Sequence, residues 1–533
     1  MNQAIITKKQ MISISYIIGG VFFLFFAVKI GDNGIGYMAM VLELLNLFLY
    51  LVSEEITDFV SKMIRGKKTK GLHKDAYNVK RRVLVIHFVT GILLSVLFFA
   101  LSEFFAGSLF KIPYIGICLR IISPLIFLRS METVFLGAFQ SSGSQMPAVI
   151  CAFFRQLFFF IFGWLLVGKC VIYGEKVAGL LVNDDFVGMY GAIGLCFAIV
   201  IAEVLVFLFQ LFLHFITDRK KEQKRCKEGL QTTEELRTTL YYYYEKVILI
   251  FGSQLFYRLP LLLGILFSLR TLTDPFAVAY SVGSFYGPFL VLCSIPVMLV
   301  EAGTFVMQGK LAYHAGRLDN RAIRDSIVSG LHYCVILAVF FGVIFLTLSG
   351  QITAVFLGTE NAVLAEYVKL GSVLIILQIL ANFGMGLLKN MNQKRFVLLC
   401  SFLGAFAAFV TCLLGKKNGF EVYDYMLYSM IFAALVCAVS SIGLVTFGRR
   451  IGADPVNTFV VPLLCGSVVG LLIMLISKLM TPHLGNLVCM LLCFVFGFIL
   501  YIFLLGLTRN IHENEISTMY GELGKRIVGL IFK

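Results

Sequence analysis

The sequence predicts an all-α integral membrane protein with about fourteen transmembrane helices. Three observations lead there. Apolar residues come in blocks of about twenty, the length that crosses a hydrocarbon core of ~30 Å at ~1.5 Å per helical residue. Only 14% of the 533 residues are charged while 59% are hydrophobic, against about a quarter charged in a soluble chain. Those few charges gather in the gaps between the blocks, and no alternation of about ten residues repeats as a β-barrel would require.

Spans are expected near 11–30, 35–61, 83–106, 114–139, 147–168 and 188–216, then 246–270, 280–306, 326–349, 363–388, 396–415, 424–447, 457–479 and 486–508. The first is read as a retained helix: Lys8 and Lys9 precede an apolar run with no small-residue cleavage site behind it. Alternate connections are strongly basic, at 62–82, 219–227, 310–324, 389–395 and Arg449–Arg450. By the positive-inside rule these face the cytoplasm, which places both termini there and requires an even number of spans. The net charge of +15 is thereby explained by topology, and no nucleic acid is expected as a partner. The longest outer connection is expected near 169–187. The tail 511–533 spaces Ile516, Met519, Leu523, Ile527 and Leu530 as an amphipathic helix on the inner membrane surface.

An internal repeat organises the chain. At an offset of 249 residues Ser123, Leu125, Ile126 and Leu128 meet Ser372, Leu374, Ile375 and Leu377, and Gly137, Cys151 and Phe153 meet Gly386, Cys400 and Phe402. Earlier in each half, Glu55, Phe59 and Val60 resemble Glu301, Phe305 and Val306. Span four then pairs with span ten and span two with span eight, so the unit is six helices. An even-numbered unit leaves both copies facing the same way, related by a pseudo-twofold axis along the membrane normal. The expected organisation is an N-lobe over 1–217, a basic linker over 218–245, a C-lobe over 246–447, two extra spans within 448–510, and the tail from 511 to 533.

Ionisable groups within spans cost about 2.5–3.5 kcal/mol on insertion scales and mark cavities or partners. Arg129, Glu203 and Arg258 fall near the centres of their spans, with Arg155 and Glu43 at intermediate depth. Arg129 and Glu132 are three apart on one face and can neutralise each other. Glu54, Glu55 and Glu301 lie near cytoplasmic ends, within reach of loop lysines. Arg258 precedes Pro260, which opens the local backbone ladder beside the guanidinium. The excess of cations at mid-depth points to an anionic substrate, for which arginine's planar fork is suited. Glu203 and Glu43 are the candidate proton- or ion-coupling groups. The thirteen cysteines read as small packing residues, and no metal or other cofactor is expected. Gly163 to Lys169 imitates the start of a phosphate-binding loop, but Cys170 stands where a hydroxyl is needed and the string lies inside an apolar span. Asn183-Asp184-Asp185 is read as a solvated loop, and no enzyme activity is expected.

The stretches Leu119 to Pro124, Phe135 to Gln140, Met146-Pro147 and Gly188 to Gly194 resemble the polysaccharide flippase branch of the multidrug/oligosaccharidyl-lipid/polysaccharide (MOP) exporter superfamily, which includes Wzx-type, stage V sporulation protein B-like and MurJ-like proteins. The resemblance runs over nearly the entire chain. It implies a transporter of a bacterial plasma membrane that turns an undecaprenyl-diphosphate-linked oligosaccharide from the inner to the outer leaflet, among membrane lipids and beside polysaccharide biosynthesis enzymes; a monomer is expected because two fused lobes already supply the cavity. It also places Lys29 and Arg258 where such flippases carry cavity cations. Ser53-Glu54-Glu55 departs from the family's small, Gly-rich turn. A cation-coupled drug antiporter of the MATE branch is the alternative, and it would need an acidic cavity.

Overall fold

A computed structural model describes residues 2–52, 54–143, 146–217, 236–271, 274–317, 319–358, 362–414, 422–447 and 454–510. The expected tail helix and most of the expected linker lie outside these residues. Among the described residues thirteen helices are long and apolar enough to cross a membrane. The first of them, Gln10–Leu49, has 40 residues, or about 60 Å of helix, twice a bilayer core. It is broken at Gly31, whose φ of 78° and ψ of 169° are open to glycine and not to residues with a Cβ. Counting its two arms separately gives the fourteen spans expected.

The helices are α1 (Asn2–Leu49), α2 (Glu54–Thr69), α3 (His73–Ala100), α4 (Ile115–Ile122), α5 (Pro124–Ser141), α6 (Met146–Leu181), α7 (Asp185–Thr217), α8 (Leu236–Thr271) and α9 (Pro275–Ser284). They continue as α10 (Leu292–Arg317), α11 (Asn320–Thr347), α12 (Ser349–Leu357), α13 (Ala362–Asn390), α14 (Lys394–Leu414), α15 (Val422–Phe447), α16 (Val461–Leu484) and α17 (Asn486–Leu507). Two connections differ from expectation. The outer loop near 169–187 is helix as far as Leu181. No proline interrupts it, and Gly174 lets α6 close on Phe186, Val187 and Tyr190 of α7. The basic segment 62–82 is also helix on both sides of a turn at Gly71, whose φ is 76°.

Packing divides the chain into two compact units, Lys29–Gly283 and Met1–Val28 with Ser284–Lys533. These boundaries come from packing, whereas the expected lobes came from the sequence repeat, and the two sets of boundaries do not coincide. Within the first unit, α2 lays Ile56, Val60 and Ile64, four residues apart, against Val79 and Val83 of α3 and Val134 and Ala138 of α5. Gly137 allows this approach, because a Cβ there would lie 3.0 Å from Thr57 O and from Val60. Within the second unit, Gly386 of α13 is pressed in the same way against Gln308 of α10, and α16 seats Gly466 on Val339 of α11. Large apolar side chains that remain exposed, such as Val85, Val89, Leu93 and Val96 of α3, form the face that lipid would solvate.

Ser123 and Ser372 each donate to the carbonyl three residues back, Arg120 O at 2.9 Å and Lys369 O at 2.7 Å. Cys151 and Cys400 are both fully buried, as are Ile126 and Ile375.

Candidate functional site

Three consecutive helices of the first unit bring five polar side chains together. Arg129 and Glu132 share a face of α5, three residues apart, and Glu203 and Gln210 share a face of α7, two turns apart. Arg155 enters between them from α6. Its Nε donates to Glu203 Oε2 at 2.9 Å and its Nη2 to Glu203 Oε1 at 3.3 Å, a bidentate fork. The same Nη2 donates to Glu132 Oε1, so one nitrogen bridges both carboxylates. Gln210 Nε2 donates to Glu132 Oε1 at 2.9 Å. Arg129 completes the set, with Nε 3.1 Å from Glu203 Oε1 and Nη1 3.4 Å from Glu132 Oε2.

Two arginines and two glutamates make this cluster electrically neutral. That neutrality allows its burial, since an unpaired charge in the interior carries a large desolvation cost. Glu132 and Glu203 are buried, with side chains 6% and 2% exposed, whereas Arg129 retains 25%. Rings of Phe135, Phe139 and Phe207 continue the packing toward His214 of α7.

A second pair lies in the same unit. Arg258 of α8 donates from Nε to Tyr50 Oη at 3.0 Å, and its Nη1 lies 3.8 Å from Glu43 Oε1 of α1. Glu43 is wholly buried while Arg258 is 37% exposed. Arg258→Ala leaves the Glu43 carboxylate buried beside an emptied position. Tyr50→Phe removes only one hydrogen bond, worth about 0.5–1.5 kcal/mol. We expect the alanine variant to lower the melting temperature in detergent clearly more than the phenylalanine variant does. Equal melting of the two would detach Arg258 from Glu43.

Of the residues singled out in the sequence, the structure thus joins Arg129, Arg155 and Glu203 in one cluster and Arg258 with Glu43 in another. Lys29 stands apart from both, exposed, with Nζ 4.3 Å from the ring centroid of Trp164. Gln210 was missed, although its spacing of seven from Glu203 places both on one helix face. At the level of contacts each arginine named in the sequence has a carboxylate beside it. Once Glu132 is counted, three arginines face three carboxylates. Glu301 of α10 is also close enough to Lys389 of α13 for the two charges to interact. The phosphate-loop imitation lies inside α6 as helix. The Asn183-Asp184-Asp185 string caps α7: Asn183 Oδ1 accepts from Asp185 N at 2.9 Å, and Asp185 Oδ1 accepts from Asn33 Nδ2 at 2.9 Å.

No protein-family model matches the sequence, and no curated protein is similar to it. Solved structures are similar in fold. The chain matches the inward-facing conformation of a multidrug resistance MATE family transporter of the MOP superfamily with a TM-score of 0.59 at 10% identity, over 83% of this chain and 96% of that one. The outward-facing conformation matches with 0.57 at 10% identity, over 83% and 95%. The eukaryotic MATE transporter AtDTX14 matches with 0.58 at 14% identity, over 83% and 97%. The chain therefore has the MATE transporter fold over most of its length.

Proposed function

We propose that this protein is an alternating-access transporter that moves an anionic amphiphile, an undecaprenyl-diphosphate-linked oligosaccharide, from the inner to the outer leaflet of a bacterial plasma membrane. The fold supports transport, because its solved relatives are transporters. The observation that carries the anionic substrate is which charge each cluster presents. The carboxylates of Glu43, Glu132 and Glu203 are 0–6% exposed, while the guanidinium-bearing side chains of Arg129 and Arg258 are 25% and 37% exposed. Lys29 is exposed as well. A ligand reaching either cluster meets a cation first, with its carboxylate behind it. Arginine's paired donors match phosphate oxygens. The saccharide would be carried in the protein while the polyprenyl tail stays in lipid.

The MATE branch offers a second reading, export of cationic drugs, favoured by the likeness to multidrug transporters. It would need an exposed carboxylate, and the carboxylates of the two clusters are buried. Vesicles containing the purified protein and a fluorescent undecaprenyl-diphosphate oligosaccharide decide between the two. Leaflet transfer by the wild type, reduced at least about tenfold in Arg258→Ala, or ~1.4 kcal/mol in the barrier, is the expected result. Efflux of a cationic dye without lipid transfer would replace this reading with the second.

A further inference from the structure

Charged members of the cluster of Arg129, Glu132, Arg155, Glu203 and Gln210 meet uncharged residues in the other half of the chain. The register of 249 residues that matches Ser123 to Ser372 and Cys151 to Cys400 carries Glu132 to Ala381 and Arg155 to Gly404. Ala381 is buried, and a Cβ on Gly404 would touch Val436 and Phe432 of α15. The same register carries Arg129 to Gln378, so the places of Glu132 and Arg155 are taken by small residues and that of Arg129 by an uncharged polar one. At these three positions the second half carries no charge. Well-packed apolar residues generally stabilise a core at least as well as a buried ion pair. The charges in the first half thus call for a reason other than folding.

The members of the cluster are not held alike. Arg155 is enclosed and makes hydrogen bonds to both carboxylates, from Nε to Glu203 at 2.9 Å and from Nη2 to Glu132 and Glu203. Arg129 stands at the edge, 25% exposed, with contacts of 3.1 and 3.4 Å. Resting on the anionic-substrate reading above, we propose that Arg129 is the exchangeable member: a diphosphate headgroup takes its guanidinium, and the Glu132–Glu203 pair takes up one proton in return. The charge balance requires this. The resting cluster has two cations and two anions. With Arg129 engaged by the ligand, Arg155 faces both carboxylates and the buried remainder is −1. One proton from water, bound to a carboxylate, restores neutrality, and no other bond changes. The two carboxylates already converge on a single Arg155 nitrogen, so protonating one leaves the other its fork. Among the described residues, Cys151 of α6 is a further titratable group beside Glu132 and Gln210, while on the neighbouring elements His87 of α3 is bonded to Ser130 and His214 of α7 lies among Phe135 and Phe139. None is a carboxylate.

Linkage gives the sign. A ligand that brings one proton with it binds more tightly as pH falls, by about tenfold per pH unit where uptake is complete. The test is calorimetric titration of the purified full-length protein in detergent with geranylgeranyl diphosphate, in two buffers of different ionisation enthalpy. Wild type should take up about one proton more than Glu203→Gln. That variant's cluster is neutral once Arg129 leaves, so it should bind with a flattened pH slope and at least as tightly. The probe's own proton changes are common to both proteins and cancel in the difference. Glu132→Gln, which removes the other carboxylate, should behave as Glu203→Gln does and serves if that variant does not fold. Equal proton uptake by wild type and both variants overturns the exchange while leaving the anionic substrate in place. Absence of binding to any of the three overturns the anionic reading and this inference with it.

Discussion

Arg155→Met is expected to destabilise the protein by about 3–5 kcal/mol, the range for removing one partner of a buried ion pair. Glu132 and Glu203 would remain buried, with Arg129 as their one remaining cation among the described residues and no fork between them. Thermal unfolding in detergent should show a midpoint lower by about 5–10 °C, at a few degrees per kcal/mol. The diagnostic comparison is the double variant Arg155→Met, Glu203→Leu. It leaves Arg129 and Glu132 as a neutral pair three residues apart on α5, and should recover most of the loss. Non-additivity of this kind belongs to residues acting as a unit. If Arg155→Met melts like wild type, the cluster is no energetic unit. If the double variant melts lower still, packing rather than charge is what Arg155 supplies.

The second large effect is steric. A Cβ on Gly36 of α1 would stand 1.8 Å from the carbonyl oxygen of Ala279 in α9, and one on Gly283 would stand 1.8 Å from that of Asp32. Both obstacles are backbone, so no side-chain rotation relieves them and the helices must separate. Gly36→Ala should therefore cost more than the 1–3 kcal/mol typical of overpacking, and should sharply reduce the yield of monodisperse protein. Gly66→Ala is the matched control. Its Cβ meets nothing within 4 Å inside α2, where alanine gains up to about 1 kcal/mol in helix propensity over glycine. Wild-type yield and melting in Gly36→Ala would mean that α1 and α9 do not approach so closely.

Much of this architecture was legible because a bilayer turns composition into geometry. Twenty apolar residues with a basic flank have few structural options, and span after span follows that rule. The ends of the helices were less legible. α6 runs 36 residues, to Leu181, well past the apolar block that announced it, because Gly174 and Tyr173 pack on the start of α7. Hydropathy reports where lipid lies, not where helix–helix packing continues beyond it. The break at Gly31 behaved in the opposite way: apolar and helical residues run on across it, and only a positive φ marks the corner.

The candidate site was half legible. Arg129, Arg155, Glu203, Arg258 and Glu43 stood out because an ionisable residue inside a span is costly and so must have a purpose or a partner. Their number and their place within apolar spans were read from the sequence alone, as was the helical membrane class. Which residues face one another was decided only by tertiary structure. Arg155 lies 23 residues from Glu132 and 48 from Glu203, and Glu43 is far from Arg258 along the chain. Pairing at such separations depends on the rotation of each helix about its axis, which the packing of small residues sets and a linear pattern does not encode. Counting charges along the chain therefore suggested a surplus of cations. Folding matched three arginines to three carboxylates, with the side chains of Arg129 and Arg258 more exposed than the carboxylates they face.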